Sequence, residues 1–270
     1  MNGDGSRMQW DGFSTWHYVL PPNRPTLAYL VAIRSICKEY QRADPVCVLG
    51  STPEIRDIFG EIGFQNVYVL DASEPFYRFT SAIRAFQNQE IFVLGDWLST
   101  LPKLKDAFAL VVSDLTSGNV PYHDRIPFYR SISASLRSRG LFIDRVLTHS
   151  REFLPLDLLD AKYSLLPYNL RSLNDFSSEY LFLSEMLLKH GRVESSLFYE
   201  ILSDRFTHPR LKVFLRECSK ITPENCEWFY RSDVHECLGN GDALQRVVTL
   251  PDEPGTVYSE RTFICVSRQS

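Results

Sequence analysis

A glycine turn and an aspartate follow two neighbouring apolar runs of this chain. Residues 46–49 run into Gly50, and residues 67–70 run into Asp71, twenty-one positions further on. In an open α/β sheet, the carboxyl ends of buried parallel strands are where ligands bind. An acidic residue about 20 positions beyond the first glycine turn can hydrogen-bond the hydroxyls of a ribose. The spacing therefore predicts a site for a nucleoside-containing cofactor.

The elements that would position these residues alternate between strand and helix. Apolar runs predict strands, which we place at 46–49, 67–70, 91–94, 108–112 and 141–146. Apolar residues at spacings of three and four predict helices, which we place at 27–40, 54–62, 75–87 and 126–137. This rhythm indicates an α/β fold with a parallel sheet and helices on both faces.

The alternation ends after residue 148. Residues 152–235 contain several helix-like stretches and no clear strand, whereas residues 244–250 and 261–266 resemble two strands joined by a loop. We therefore predict a closing hairpin and a helical insertion ahead of it. The expected domain division is 1–150 with 240–270 for the nucleoside-binding unit, and 151–239 for a helical cover.

Composition narrows the class of protein. The chain has 270 residues, 44% of them hydrophobic, and a formal net charge of −4. This mildly acidic balance lacks the positive field of a dedicated nucleic-acid binder, so no nucleic-acid partner is expected. No apolar run reaches the length of a membrane span, and the polar first residues lack a signal peptide's apolar core. We expect a cytoplasmic protein without a membrane partner.

One cysteine-rich stretch could be read as a metal site. It contains Cys218, Cys226, His235 and Cys237. The stretch has no Cys-x-x-Cys pair, which argues against zinc. We predict no metal site, and expect no disulfides if the compartment is cytosolic.

Three short motifs, taken together, resemble class I S-adenosylmethionine-dependent methyltransferases. They are Arg-Pro-Thr at 24–26, Leu-Gly-Ser-Thr-Pro-Glu at 49–54, and Gly-Asp-Trp at 95–97. The resemblance is closest to a branch with a Leu-Gly-x-Thr-Pro-Glu first motif, and it covers roughly residues 20–150 and the closing hairpin. It implies a Rossmann-like, mostly parallel, seven-stranded sheet with a C-terminal antiparallel hairpin. Of the three glycines in the common Gly-x-Gly-x-Gly pattern, only Gly50 is present.

The resemblance also implies a role for each residue at the strand ends. Asp71 would accept hydrogen bonds from the ribose, Asp96 from the adenine amino group, and Trp97 would pack on the adenine ring. Asp114 would lie beside the transferred methyl group. The implied cofactor-binding set is Gly50, Ser51, Thr52, Pro53, Glu54, Asp71, Ala72, Asp96, Trp97 and Asp114.

A base is needed only if the methyl acceptor must lose a proton. His123 follows the fourth strand, on the rim where an acceptor would bind, and with Asp114 it is our catalytic candidate. His17 and His149 are the other histidines considered. For each histidine, a solvated loop position is the alternative interpretation.

The favoured function is methyl transfer from S-adenosylmethionine to an oxygen or nitrogen atom of a small-molecule acceptor. One alternative is a methyltransferase-like protein that binds the cofactor without catalysis, for instance as a partner subunit. Another is a different α/β enzyme that uses a nucleotide. No Gly-rich turn suited to a pyrophosphate occurs in the sequence, which disfavours a nicotinamide cofactor.

Overall fold

The computed structural model describes Trp16 and residues 24–120, 122–149, 229–230, 244–251 and 262–269. Five α-helices occur in these ranges: α1 (Leu27–Cys37), α2 (Pro53–Ile62), α3 (Glu74–Ala82), α4 (Trp97–Thr100) and α5 (Arg125–Ser135). The strands are β1 (Val46–Leu49), β2 (Val67–Asp71), β3 (Glu90–Leu94), β4 (Phe108–Asp114), β5 (Leu136–His149), β6 (Phe229–Tyr230), β7 (Leu244–Pro251) and β8 (Thr262–Gln269). In the described ranges, no helix combines the length and apolar character required to cross a bilayer.

The strands form one mixed sheet in the order β3-β2-β1-β4-β5-β8-β7. Strands β1 to β5 run parallel, β8 is antiparallel to both β5 and β7, and β6 pairs with the end of β5. The predicted α/β class, the parallel sheet and the closing antiparallel hairpin are confirmed. The strand order reverses between β1 and β4, which is the switch point where open α/β sheets bind ligands.

Local chemistry fixes the helix ends close to where the sequence predicts them. Thr26 caps α1, and its hydroxyl accepts the N–H of Tyr29 at 3.1 Å. Ser73 caps α3 in the same way, accepting from Phe76 at 3.1 Å. Such side-chain caps satisfy N–H groups that have no partner inside the helix. Gly63 ends α2 in the left-handed conformation.

Apolar side chains pack on both faces of the sheet. On one face, α1 and α2 cover alternate residues of β1 and β4, with Ile33 and Phe59 fully buried. On the other face, α5 contributes Phe128 and Ile132 to a second cluster. Every residue of β1 is buried, as expected for a strand covered on both sides. The two cores hold the carboxyl ends of β1, β2 and β4 in fixed register.

A buried ionic network joins α2, α3 and the start of β3. Arg56 donates to Glu90 at 2.6 Å, and their side chains are 0% and 3% exposed. Arg84 also pairs with Glu90, and Arg56 donates to the hydroxyl of Thr80 at 2.8 Å. Arg56 reaches the main-chain carbonyl of Ser51 at 3.4 Å. The network therefore braces the helix that begins at the glycine turn.

Several elements differ from the sequence predictions. The third helix ends at Ala82 rather than near residue 87, because the Asp57 carboxylate accepts the N–H groups of Ala85 and Phe86 and turns the chain. Strand β5 begins earlier, at Leu136, and its pairing with β4 then skips to Leu141. The short strand β6 lies within the stretch predicted to be helical without strands, so that prediction was wrong for residues 229–230. The remaining cover residues and the proposed domain division lie outside the described residues.

Candidate functional site

The register of the sheet brings the predicted turn residues together at the carboxyl ends of its parallel strands. Leu49 pairs with Leu70 on one side and with Ser113 on the other. One residue further along, Gly50, Asp71 and Asp114 therefore leave adjacent strands at the same level. This convergence at the switch point defines the candidate cleft, which we take as the carboxyl ends of β1, β2 and β4.

Gly50 is required by the backbone conformation of the first turn. Its φ is +88°, and its N–H donates to the carbonyl of Leu70 at 2.9 Å. An L-residue rarely adopts this conformation, whereas glycine does so without steric cost. A Cβ at Gly50 would meet no atom within 4 Å. The turn thus combines a bare backbone with open space beside it, which fits the close approach of a ligand.

The residues after Gly50 are buried at the start of α2. Ser51, Thr52 and Pro53 all have little exposure, and the Thr52 side chain makes no capping hydrogen bond. Pro53 stands in the first helical turn, where its missing N–H is not needed. The Ser51 hydroxyl lies close enough to Asp71 to affect its ionisation, but it completes no well-formed hydrogen bond within the described part of the chain.

Asp71 places a buried carboxylate beside the glycine turn. Its Oδ1 accepts the N–H of Ser73 at 2.9 Å. Burial raises the pKa of Asp71, and hydrogen bonds from Ser51, Ser73 and the half-buried Ala72 lower it in part. Asp71 does not cap α3, because Ser73 does. Its carboxylate is therefore placed to accept hydrogen bonds from a ligand that enters between β1 and β2.

Glu54 is held by residues that precede the first helix. Its Oε1 accepts from the indole N–H of Trp16 at 2.9 Å and from the guanidinium of Arg24. The Trp16 ring also meets Phe76 edge-on, with ring centroids 6.0 Å apart. Because Glu54 lies in the first turn of α2 and Phe76 in the first turn of α3, Trp16 contacts the N-terminal ends of both helices. These hydrogen bonds occupy Oε1 of Glu54, a residue for which the family resemblance implies cofactor binding.

Asp96 and Trp97 follow the edge strand β3. Asp96 is exposed and caps α4, accepting the N–H of Ser99 at 3.2 Å. Trp97 is half-buried; its indole N–H donates to the carbonyl of Leu70 at 3.0 Å, and its ring packs against Phe128. The hydrogen bond joins Trp97 to the end of β2. Both residues have structural contacts, and the bond to Leu70 brings Trp97 to the border of the cleft.

Asp114 lies at the end of β4 in a buried ion pair. Arg145 donates to its Oδ1 at 2.5 Å, and the two side chains are 3% and 0% exposed for Asp114 and Arg145 respectively. Arg145 also donates to the main-chain carbonyl of Arg24 at 3.0 Å. A carboxylate paired in this way is stabilised in its charged form by its partner. The arrangement favours a structural role for Asp114 over a role as proton acceptor.

Asp144 is a second buried carboxylate, on the opposite face of the sheet from Asp114. Ser113 donates to its Oδ1 at 2.5 Å, and Ser117 donates to its Oδ2 at 2.8 Å. Burial raises the pKa of Asp144 to about 7; the two serines and Arg145 lower it, whereas the charge of Asp114 raises it. The sequence alone did not reveal Asp144 as a candidate, because an aspartate inside a predicted strand gives no sign of its partners.

His123 lies on the surface. Its side chain is 80% exposed, with Nε2 3.3 Å from Asp124. This placement matches the solvated-loop interpretation and leaves its role as a base a prediction. His17 lies outside the described residues, and only the backbone of His149 is described. The possible zinc residues 218, 226, 235 and 237 also lie outside them. Where side chains are described, no cluster of three or more His, Cys, Asp or Glu could hold a metal ion.

The residues present fit a nucleoside ligand at the cleft. Gly50 offers open space, and Asp71 offers a carboxylate acceptor one strand away. The chain adds two contacts that sequence analysis did not assign, from Trp16 to Glu54 and from Arg145 to Asp114. The one local signal for the first contact is the aromatic composition of residues 10–18, which include Trp10, Phe13, Trp16 and Tyr18. No local signal existed for the second.

Comparisons with known proteins agree on the fold. No protein-family profile and no curated protein sequence matches the chain. Among solved structures, a SAM-dependent methyltransferase from Methanosarcina mazei has a TM-score of 0.53 at 12% identity, covering 87% of this chain and 96% of its own. A glycopeptide N-methyltransferase in complex with S-adenosylhomocysteine has a TM-score of 0.52 at 13% identity, covering 88% and 89%.

A third structure carries a different name. A protein from Rhodobacter sphaeroides named as a Zn-dependent alcohol dehydrogenase has a TM-score of 0.67 at 14% identity, with full coverage of both chains. The common dinucleotide-binding sheet has the strand order 3-2-1-4-5-6, whereas here an antiparallel hairpin adds β8 and β7 beside β5. At these identities the likeness concerns the fold alone, an α/β Rossmann-like architecture that the methyltransferase structures share.

Proposed function

We propose that this protein binds S-adenosylmethionine and transfers its methyl group to an oxygen or nitrogen atom of a small-molecule acceptor. The observation that carries this proposal is the open Gly50 turn beside the buried Asp71 carboxylate, at the switch point of the sheet. The closing antiparallel hairpin supports it, since it distinguishes this sheet from the common dinucleotide-binding order. Neighbouring structures named as methyltransferases point the same way.

The chain's own residues would mainly bind and orient. Asp71 would accept hydrogen bonds from the ribose hydroxyls, and the Gly50 turn would let the ligand approach the backbone closely. Asp96, which is exposed at the end of β3, would accept from the adenine amino group. When bound, the cofactor supplies an activated methyl group on a sulfonium. Positioning a nucleophile in line with such a group can contribute about 7–11 kcal/mol to lowering the barrier.

Methyl transfer from a sulfonium needs no oxidant or reductant. When bound, the cofactor would supply the methyl carbon to a lone pair of the acceptor, and its sulfur would keep the electron pair of the broken carbon–sulfur bond. An acceptor hydroxyl or amine then loses its proton to a base or to water. Asp114 is paired with Arg145, so an acceptor that needs little help with deprotonation suits the described site.

The second candidate function is cofactor binding without catalysis. The observation that favours it is the same ion pair, together with the surface position of His123. Neither of our catalytic candidates lies free inside the cleft. Methyl transfer to a library of small hydroxyl and amine acceptors, followed by mass spectrometry, separates the two functions. A protein that binds the cofactor and methylates none of them would favour the second.

Calorimetry with S-adenosylhomocysteine tests the proposal. We expect binding by the wild-type protein, and a roughly 10- to 100-fold weaker Kd for Asp71→Asn, because hydrogen bonds to a charged group are lost. The remaining amide oxygen can still accept the N–H of Ser73, so the fold should persist. Asp44→Asn is the control, since Asp44 binds the N–H of Gln41 in a surface turn. No binding at millimolar ligand, or tighter binding of NAD, would overturn the assignment.

A further inference from the structure

The turn after β4 adopts a conformation that leucine rarely takes. We define the Leu115 turn as residues 114–118. Leu115 has a φ of +56°, in the left-handed region. There the Cβ of an L-residue crowds the backbone, so a branched side chain is strained. Such strain persists only where the surroundings over-determine the conformation, and it concentrates at functional sites.

Two contacts fix the Leu115 turn to the strands on either side. The N–H of Leu115 donates to the carbonyl of Arg145 at 3.0 Å. The Thr116 hydroxyl donates to the carbonyl of Leu49 at 3.2 Å. Because Leu49 immediately precedes Gly50, a displacement of Thr116 would also shift the backbone of the glycine turn. The Leu115 turn therefore joins the two sides of the candidate cleft.

Asp144 fastens both ends of this turn. Ser113 lies just before the turn and Ser117 lies inside it, and each donates its hydroxyl proton to a different oxygen of Asp144. All three side chains are fully or almost fully buried. The strained residue is thus enclosed between two anchors on the same carboxylate.

A carboxylate is a costly anchor at this position. Charged groups lose solvation on burial, and apolar packing would stabilise a purely structural turn at lower cost. The charged groups that act on Asp144 are Asp114, which opposes its ionisation, and Arg145, which favours it. The costly carboxylate therefore occurs beside a strained turn that several hydrogen bonds hold in place, at the edge of the candidate cleft.

We infer that Asp144 is a positioning residue that, through Ser113 and Ser117, holds the Leu115 turn against the end of β1, so that the cleft is preformed for its ligands. The identity of those ligands, S-adenosylmethionine and its acceptor, rests on the proposed function. The role of Asp144 in holding the turn rests on the contacts alone. The ligand assignment and the holding role can therefore be disproved separately.

Ser117→Ala with Ser135→Ala as control gives the sharpest comparison. Both serines are buried and each donates one hydrogen bond at 2.8 Å, but Ser135 bonds the carbonyl of Ile132 at the end of α5, away from the cleft. For Ser117→Ala we expect affinity for S-adenosylhomocysteine to fall roughly tenfold, the effect of losing a bond to a charged group. For Ser135→Ala we expect a change below about twofold. Equal affinities for the two variants would overturn the inference.

Replacement of Asp144 itself adds a rescue test. Asn can accept from one serine and donate to the hydroxyl oxygen of the other. We therefore expect Asp144→Asn to stay within about threefold of wild-type affinity, and Asp144→Ala to lose more than about tenfold. A role that needs the negative charge itself would instead predict a similar loss in both, which would contradict positioning through hydrogen bonds. If Asp144→Ala fails to fold, Ser117→Ala still decides the question.

Amide hydrogen exchange separates this inference from the proposed function. In Ser117→Ala, exchange at Leu115 and Val120 should accelerate about tenfold or more, while amides of α1 stay protected. Unchanged exchange would overturn the holding role whatever the protein binds. Faster exchange in a protein whose wild type binds no S-adenosylhomocysteine would support the holding role and reject the proposed ligand.

Discussion

Arg145 on β5 and Asp114 on β4 lie opposite one another and form a buried ion pair, with Nε 2.5 Å from Oδ1. The same arginine lies over the ring of Tyr29, 5.8 Å from its centroid, and donates to the carbonyl of Arg24. One guanidinium thus links the end of the sheet to the chain segment that leads into α1. Since Arg24 also binds Glu54, the link extends to the start of α2.

Replacing Arg145 should destabilise the protein strongly. Arg145→Met removes one partner and leaves the Asp114 carboxylate buried without its cation, which typically costs about 3–5 kcal/mol. Urea unfolding followed by circular dichroism measures the loss. Arg78→Met is the control: its pair with Glu74 is solvent-exposed, so a change below about 1 kcal/mol is expected. Similar losses in the two variants would contradict the importance of the buried pair.

The network around Glu90 offers a second stability test. Glu90→Gln removes the charge that Arg56 and Arg84 share, leaving two buried arginines with one remaining acidic partner, Asp57. We expect a loss of about 3–5 kcal/mol. Glu61→Gln, in the exposed pair with Arg34, should lose less than about 1 kcal/mol. A Glu90→Gln protein as stable as wild type would show that the network contributes little.

Asp144 should make stability fall as pH rises. Its folded-state pKa of about 7 lies above the ordinary 3.8, so the folded state holds the proton more tightly than the unfolded state. The favourable contribution is complete below pH 3.8 and is lost as the pH rises through 7. The pKa of Asp71 is also raised, which gives the same sign.

Chemical unfolding between pH 5 and pH 8 measures this effect. In Asp144→Asn the decline should be smaller, and the difference from wild type should amount to on the order of a few kcal/mol across the window. A wild-type curve parallel to that of Asp144→Asn would contradict the raised pKa.

Gly50→Ala and Gly63→Ala form a matched pair. Both glycines have φ near +85°, at +88° and +84°, so alanine should cost each site about 1–2 kcal/mol of stability. Only Gly50 borders the candidate cleft, where an added methyl group would also enter the open space beside the turn. We expect weaker binding of S-adenosylhomocysteine in Gly50→Ala alone. Equal affinity in both variants would place the ligand elsewhere.

The elements were predictable because their signals are local. A run of four apolar residues closed by glycine identified β1, and the apolar periodicity that starts at Leu27 identified α1. The early end of α3 could not be predicted in this way. It depends on Asp57, which lies about thirty positions earlier in the chain and binds two N–H groups across a helix boundary.

The candidate site likewise has a part that local signals predict and a part that long-range contacts decide. By itself the sequence determined that Gly50 and Asp71 follow consecutive strand-like runs, since apolar runs and turn residues are local signals. The tertiary structure alone decided that Asp114 faces Arg145, 31 positions away, and that Trp16 reaches Glu54, 38 positions away. Such partners are set by sheet register and packing between segments distant in the chain. A carboxylate's role depends on those partners, so its position in the sequence could indicate the site but not its function there.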